Sequence, residues 1–195
     1  MGYPTRVKIK DKEYSINTDF RIAIECNVIA QDTSISDTER ALAVIYKLFG
    51  EKGLNDTDNM KNLLELAKKY LSCGKDVDIA SKKQEEPDMD YVQDMDYIEA
   101  SFMSDYNIDL ASTEMHWWKF YNLLCGLSNS ELGSCCILNR IRNLRNYDIS
   151  EIKDPKERRK IQEAKESVAL KKKEKKLTQE QQNSLDRFNE LAGLK

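Results

Sequence analysis

Near its N-terminus the chain alternates apolar and polar positions with period two. Val7 and Ile9 stand between Arg6, Lys8 and Lys10, and Tyr14 and Ile16 alternate on the way back, so residues 1–17 are expected to form a β-hairpin turning at Asp11-Lys12-Glu13. A lone hairpin is marginal in water, so its apolar face needs a larger support. From residue 19 the period becomes helical. Thr18 or Asp19 can cap a first helix over 19–30, with Phe20, Ala23, Ile24, Val28 and Ile29 as its inward stripe. Ser36 followed by Glu39 reads as a capping box, after which Leu42, Ile45, Tyr46 and Phe49 repeat until Gly50. A third helix follows Asp56 or Thr57, with Met60, Leu63, Leu64, Ala67 and Leu71 inward and Gly74 at its end.

Beyond this block the pattern lapses and then returns. Residues 75–90 carry a charge run, one Pro and few large apolar side chains, and read as an acidic flexible linker. Met95, Ile98, Phe102 and Tyr106 then fall at steps of three and four, with Asp94 or Asp96 at the start and Asn107 at the end. Ser112 or Thr113 is the expected cap of the next helix. There Met115, Trp117, Trp118, Phe120, Tyr121, Leu123 and Leu124 cover most of the circumference, which predicts the centre of a second core. Another helix is expected from Ser130 through Cys135, Ile137, Leu138, Ile141 and Leu144, ending among Arg140, Arg142 and Arg145. After residue 149 apolar positions become sparse (Ile152, Ile161, Ala164, Val168, Leu170). Pro155 suits a first helical turn, and residues 178–181 offer a capping box for a short last helix. The expected fold is therefore mainly α: a short N-terminal β-hairpin packed on a multi-helix bundle, with a long charged C-terminal helix. Its parts are 1–74, the linker 75–90, an aromatic-rich helical core 91–148, and the charged helices of 149–195.

Composition supports the helical reading. Gly and Pro together are 10 of 195 residues, too few for a collagen-like or many-turned β chain. The formal net charge of −3 argues against a generic nucleic-acid binder, but it averages unlike segments. Residues 76–114 hold 12 acidic and 2 basic residues, a net −10, whereas 151–176 hold 11 basic and 6 acidic, a net +5. Opposed blocks of this kind suit protein partners, self-association among them. No apolar run reaches the ~18 residues of a membrane helix, and the N-terminus has no apolar stretch of the kind a secretory leader needs. Five irregularly spaced cysteines fit buried thiols in a reducing compartment.

Candidate chemistry is thin. DMDY occurs at residues 88–91 and 94–97, but the Gly and distant Glu of a calcium loop are missing, so a solvated acidic stretch is the stronger reading and no metal or other cofactor is expected. His116 is the sole histidine and has no partner at helical spacing to orient it as a base; a helix-end or core role is favoured. Cys135-Cys136 reads as packing on a helical stripe. No phosphate-cradling loop or nucleophile elbow is present, so no enzymatic activity is expected. The lysine-rich run 171–176 lacks interleaved aromatics for stacking on bases.

One arrangement is specific. Phe102, Tyr106, Ile108, Asp109 and Leu110, followed by His116, Trp117, Trp118 and Phe120, resemble the aromatic hallmark of a bacteriophage family named after a fifteenth gene product. Residues 14–25 and the basic stretch 140–172 are similar to the same family. The resemblance implies a gene between those for the major tail protein and the tape-measure protein. It implies in turn a tail-assembly chaperone in the cytoplasm of a bacterial host, binding the tape-measure protein and other tail factors; from the apolar runs and the charge, neither membrane nor nucleic acid is expected as a partner. A structural tail or head–tail connector protein is the alternative. Phe102, Tyr106, His116, Trp117, Trp118, Phe120 and Tyr121 are the candidate partner-binding residues, or else the core; aromatic stripes at helical spacing favour the core.

Overall fold

Alternation in the first residues does give a hairpin, but its turn falls earlier than the sequence suggests. In the computed structural model, which describes residues 2–75, 87–129 and 135–171, strands β1 (Arg6–Ile9) and β2 (Lys12–Ser15) pair antiparallel, with Val7 opposite Tyr14 and Ile9 opposite Lys12. Only Lys10 and Asp11 form the turn, and Lys10 takes a left-handed φ of 53°. Lys12 and Glu13, read from sequence as turn residues, belong to β2. The hairpin's apolar face is buried through Ile9, Tyr14 and Ile16.

Helix α1 (Phe20–Ala30) starts at Asp19, whose carboxylate accepts the Arg21 N–H at 2.8 Å. Phe20, Ala23, Ile24 and Cys26 are buried, whereas Val28, expected inward, is exposed. Helix α2 (Asp37–Leu54) opens on the expected capping box of Ser36 and Glu39. It does not end at Gly50. That residue adopts φ 65° and ψ −162°, a region open essentially to Gly alone, and the helix resumes beyond a kink. At the kink the Leu48 carbonyl accepts the Asn17 N–H at 2.8 Å, which ties the end of the hairpin to α2. Tyr14 then meets Phe49 edge to face at 6.4 Å, and the Lys52 ammonium donates to the Glu13 carbonyl at 2.7 Å. After a 3-10 turn (Thr57–Asn59), α3 (Met60–Leu71) buries Leu63, Ala67 and Tyr70 against α2. Burial pushes the Cys26 thiol up to about 12, so it is a packing group.

Asp56 is the polar pin of this first unit. Its carboxylate is 8% exposed and accepts from the Tyr14 hydroxyl, from Lys12 Nζ at 2.7 Å and from Asn59 Nδ2 at 3.1 Å. The Lys12, Tyr14 and Asn59 hydrogen bonds hold it well below the usual carboxylate range. Lys12 and Tyr14 are pushed upward, each mainly by its bond to Asp56.

The second compact unit contains α4 (Met95–Tyr106), α5 (Trp117–Cys125), α6 (Ile137–Asn146) and α7 (Pro155–Ser167). Both α4 and α7 pack on α6, and α4 also touches α5. Asn107 ends α4 in the left-handed conformation (φ 54°). Helix α5 begins later than Ser112 or Thr113, because Asp109 uses its side chain to turn the loop, accepting from the Ala111 N–H and the Ser112 hydroxyl. Nor is α5 enclosed all round: Trp117, Phe120 and Leu124 are buried, but Cys125 is exposed.

Helix α6 likewise starts later than Ser130. Cys136 is its N-cap, its Sγ accepting the Asn139 N–H, and Cys135 pairs with Asn129 in an isolated β-bridge. The two cysteines therefore do not lie on a helical stripe; residues 130–134 are outside the described set. Buried polar groups join these helices. Ser101 Oγ on α4 accepts the Leu138 N–H at 3.1 Å, satisfying the first turn of α6, and Asn139 Nδ2 donates to the Leu127 and Ser128 carbonyls. Asp105 accepts the Ser128 N–H at 2.7 Å, which lowers its pKa.

The expected long C-terminal helix is α7 as far as Ser167, after which Val168–Lys171 is non-helical. The rest of the charged run and the expected last helix lie outside the described residues, as does 76–86 of the linker.

Candidate functional site

The family-like aromatic arrangement divides between core and rim. Phe102 stacks on Phe120 with centroids 5.2 Å apart, and Trp117 stacks on Phe120 at 5.8 Å. Exposure of these three is 1% or less, so they are core. Tyr106 stands edge to face with Phe102 and donates its hydroxyl proton to the Leu123 carbonyl at 2.9 Å. His116 is the N-cap of α5: its Nδ1 accepts the Trp118 N–H at 3.0 Å. Of the helix-end and core roles that the sequence offers, the structure shows the helix-end one. Trp118 and Tyr121 are half-buried on α5. Tyr106 and His116 are half-buried as well, but the Tyr106 hydroxyl is tied to the Leu123 carbonyl and His116 is engaged as the cap of α5.

The sequence reading missed the polar centre of this unit. Arg145, on α6, makes a two-pronged ion pair with Asp94, with N–O distances of 2.7 and 2.8 Å. The side chains are 10% and 1% exposed. Arg145 also donates to the Asp88 carbonyl at 2.8 Å and, through Nε, to the Val168 carbonyl at 2.7 Å. Asp94 accepts the Asp90 N–H as well. The interaction with Asp94 raises the Arg145 pKa. Beside this pair Arg142 binds Asp88, with its closest contact at 3.0 Å. A spacing signal existed: Arg145 falls four residues after Ile141 and seven after Leu138, and Asp94 four before Ile98 and eight before Phe102. Both therefore lie on inward stripes that otherwise carry apolar residues.

This arrangement also settles what the clustered aspartates face. Asp88 turns to Arg142, Asp94 to Arg145, and Asp90 accepts the N–H groups of Val92 and Gln93. These three turn to different protein donors, whereas Asp96 is exposed. Residues 88–90, assigned by composition to the linker, are thereby part of the second unit.

Over the ion pair runs the segment after α7. The Gln93 side chain pairs with both the N–H and the carbonyl of Lys171, at 2.8 and 3.2 Å. Two hollows of about 310 and 250 Å³ are each lined by Arg145, Ala169 and Leu170. Helix α7 has no fully buried residue; Lys165 donates to the Tyr147 carbonyl at the end of α6, and Arg158 turns back to the Ile152 carbonyl just before α7 begins. In the first unit a groove of about 620 Å³ lies at the α2 kink, lined by Ile16, Ile22, Tyr46, Leu48 and Phe49. Tyr46, predicted inward, is 48% exposed there. No described helix is long and apolar enough to cross a membrane.

A family model described as bacteriophage Gp15 protein matches residues 3–170. No curated protein matches the chain, and no solved structure does.

Proposed function

Proceeding from the premise that this chain belongs to the bacteriophage Gp15 protein family, we propose that it is a tail-assembly chaperone that binds the tape-measure protein and keeps it soluble before the tail tube forms. Family membership over residues 3–170 is the observation that carries this reading, through the gene position such proteins hold beside the tape-measure gene. On this reading the protein works by binding rather than by catalysis, in the cytoplasm of the bacterial host. A tape-measure protein is a long helical chain whose apolar stripes aggregate when unpartnered, and a helical module can take such a stripe through anchors at i, i+3, i+4 and i+7. Trp118 and Tyr121, one turn apart on α5 and half-buried, are the residues of the aromatic set that we assign to that contact.

Co-expression tests the reading. The soluble fraction of the tape-measure protein should rise with this protein present and fall back with Trp118→Ala plus Tyr121→Ala. A tape-measure protein equally insoluble with and without it defeats the proposal. Mass spectrometry of purified virions separates the alternative, since a tail or connector component is found there in several copies per particle and an assembly chaperone is absent.

A further inference from the structure

We infer that copies of this chain associate head to tail, the outward face of α4 in one copy receiving the outward face of α7 in the next. On α4 and the turn before it, Val92, Asp96, Glu99, Ala100 and Met103 recur at helical spacing and are all exposed. Val92 and Met103 are 57% and 46% exposed, large values for apolar side chains on one stripe. Neither Asp96 nor Glu99 has an ion-pair partner among the described residues, in contrast to Asp88 and Asp94. On α7 the outward positions are Lys156, Arg159, Lys160 and Glu163. Lys156 and Lys160 are likewise without an ion-pair partner among the described residues, and Arg159 is engaged by Glu163 within its own helix.

The two faces are complementary in sign, and their charge spacings differ by only about 1.5 Å, within the reach of flexible lysine side chains. Asp96 and Glu99 lie about 4.5 Å apart along the axis of α4, and Lys156 and Lys160 about 6 Å apart along α7, from the helical rise. Laid together, carboxylates meet ammonium groups, and the methylene stems of the lysines cover Val92 and Met103. Within one copy both faces look outward from helices that pack on α6, so the match is made between copies. Such a contact joins unlike surfaces, which generates a ring or an open row rather than a two-fold dimer. Exposed ion pairs are individually weak, so the association is weak in free solution and grows when copies are gathered on one long partner. This inference does not depend on the tape-measure reading.

Sedimentation velocity of the full chain, over a concentration series reaching about 100 µM, tests it at low and high salt, about 30 and 300 mM NaCl, where the screening length falls from roughly 18 to 6 Å. The expected result is a concentration-dependent rise in sedimentation coefficient at low salt that is lost at high salt. Asp96→Lys with Glu99→Lys, and separately Lys156→Glu with Lys160→Glu, should each abolish association. An equimolar mixture of the two variants should restore it, because both contacts in the mixed row are again of opposite sign. Absence of association at low salt, its persistence in either variant alone, or failure of the mixture to associate overturns the inference. Should a variant fail to fold, the salt dependence of the unaltered chain still decides.

Discussion

Removal of the Arg145 guanidinium has the largest predicted effect on the second unit. Arg145→Ala leaves Asp94, 1% exposed, with the Asp90 N–H as its remaining donor, and strips the Asp88 and Val168 carbonyls of theirs. Breaking a buried pair by deleting one partner costs about 3–5 kcal/mol, a large part of the ~5–15 kcal/mol that holds a domain together. At ~4–8 °C per kcal/mol for a unit of this size, the melting temperature should fall by about 10 °C at least. Both tryptophans of the chain, Trp117 and Trp118, lie in this unit, so urea unfolding followed by tryptophan fluorescence reports on it directly. Arg145→Lys should fall between, because an ammonium keeps the charge but cannot reproduce the two-pronged bond or reach Val168 as well. Arg145→Met combined with Asp94→Leu should cost less than the sum of the two single changes, with a coupling of up to about 3 kcal/mol. A fluorescence transition shifted by less than about 1 kcal/mol in Arg145→Ala would refute the reasoning, since it would mean that Asp94 is readily solvated when its partner is gone.

The remaining expectations concern local devices. Gly50→Ala places a side chain at φ 65°, ψ −162°, and should destabilise the first unit by about 1–3 kcal/mol, seen in far-UV circular dichroism. Asp56 has a folded-state pKa held below its unfolded value. Its contribution to stability is therefore present above about pH 4 and lost as pH falls toward the folded value. Melting curves taken between about pH 2.5 and 7 should show this acid limb, and Asp56→Asn should flatten it. His116→Asn should be nearly neutral and His116→Ala should cost about 1 kcal/mol, the pattern of a cap, measured on the same tryptophan signal. Lys171 and its neighbours should exchange amide hydrogens faster in Gln93→Ala than in the parent chain, while amides within α4 and α6 stay protected.

Legibility in the sequence follows the physics of each element. Helices α1, α3 and α4 were readable because each carries an apolar stripe with a cap or stop signal at its ends. The hairpin turn was misplaced because Lys10, not a Gly or Asn, takes the left-handed φ, so nothing at its first position marks it and the polar run after Asp11 reads as turn as well. The α2 kink looked like a helix end, since a Gly at positive φ does end many helices; tertiary contact with the hairpin through Asn17 and Leu48 is what lets α2 continue. The starts of α5 and α6 were misread because the caps used are His116 and Cys136, residue types rarely chosen for that place, while nearby Ser112 and Ser130 fit the usual preference. Charge patterning concealed Arg145 and Asp94 among exposed residues of the same kind, although their positions on inward stripes set them apart.

The residues that make the chain recognisable have a further consequence for where binding should be sought. Phe102, Trp117 and Phe120 are interior, His116 caps α5, and Tyr106 fastens α4 to the end of α5. These members of the motif secure the packing of the second unit, so they report a shared fold rather than a shared partner. Trp117→Ala should accordingly unfold that unit, at a cost of about 3–5 kcal/mol, and loss of binding in such a variant would carry no information about contact. Trp118→Ala and Tyr121→Ala are the informative pair, because both side chains are half-buried and their removal opens no interior cavity of that size. If either variant melts as low as Trp117→Ala, the division into core and rim is wrong, and partner contact must be placed on the charged faces of α4 and α7 instead.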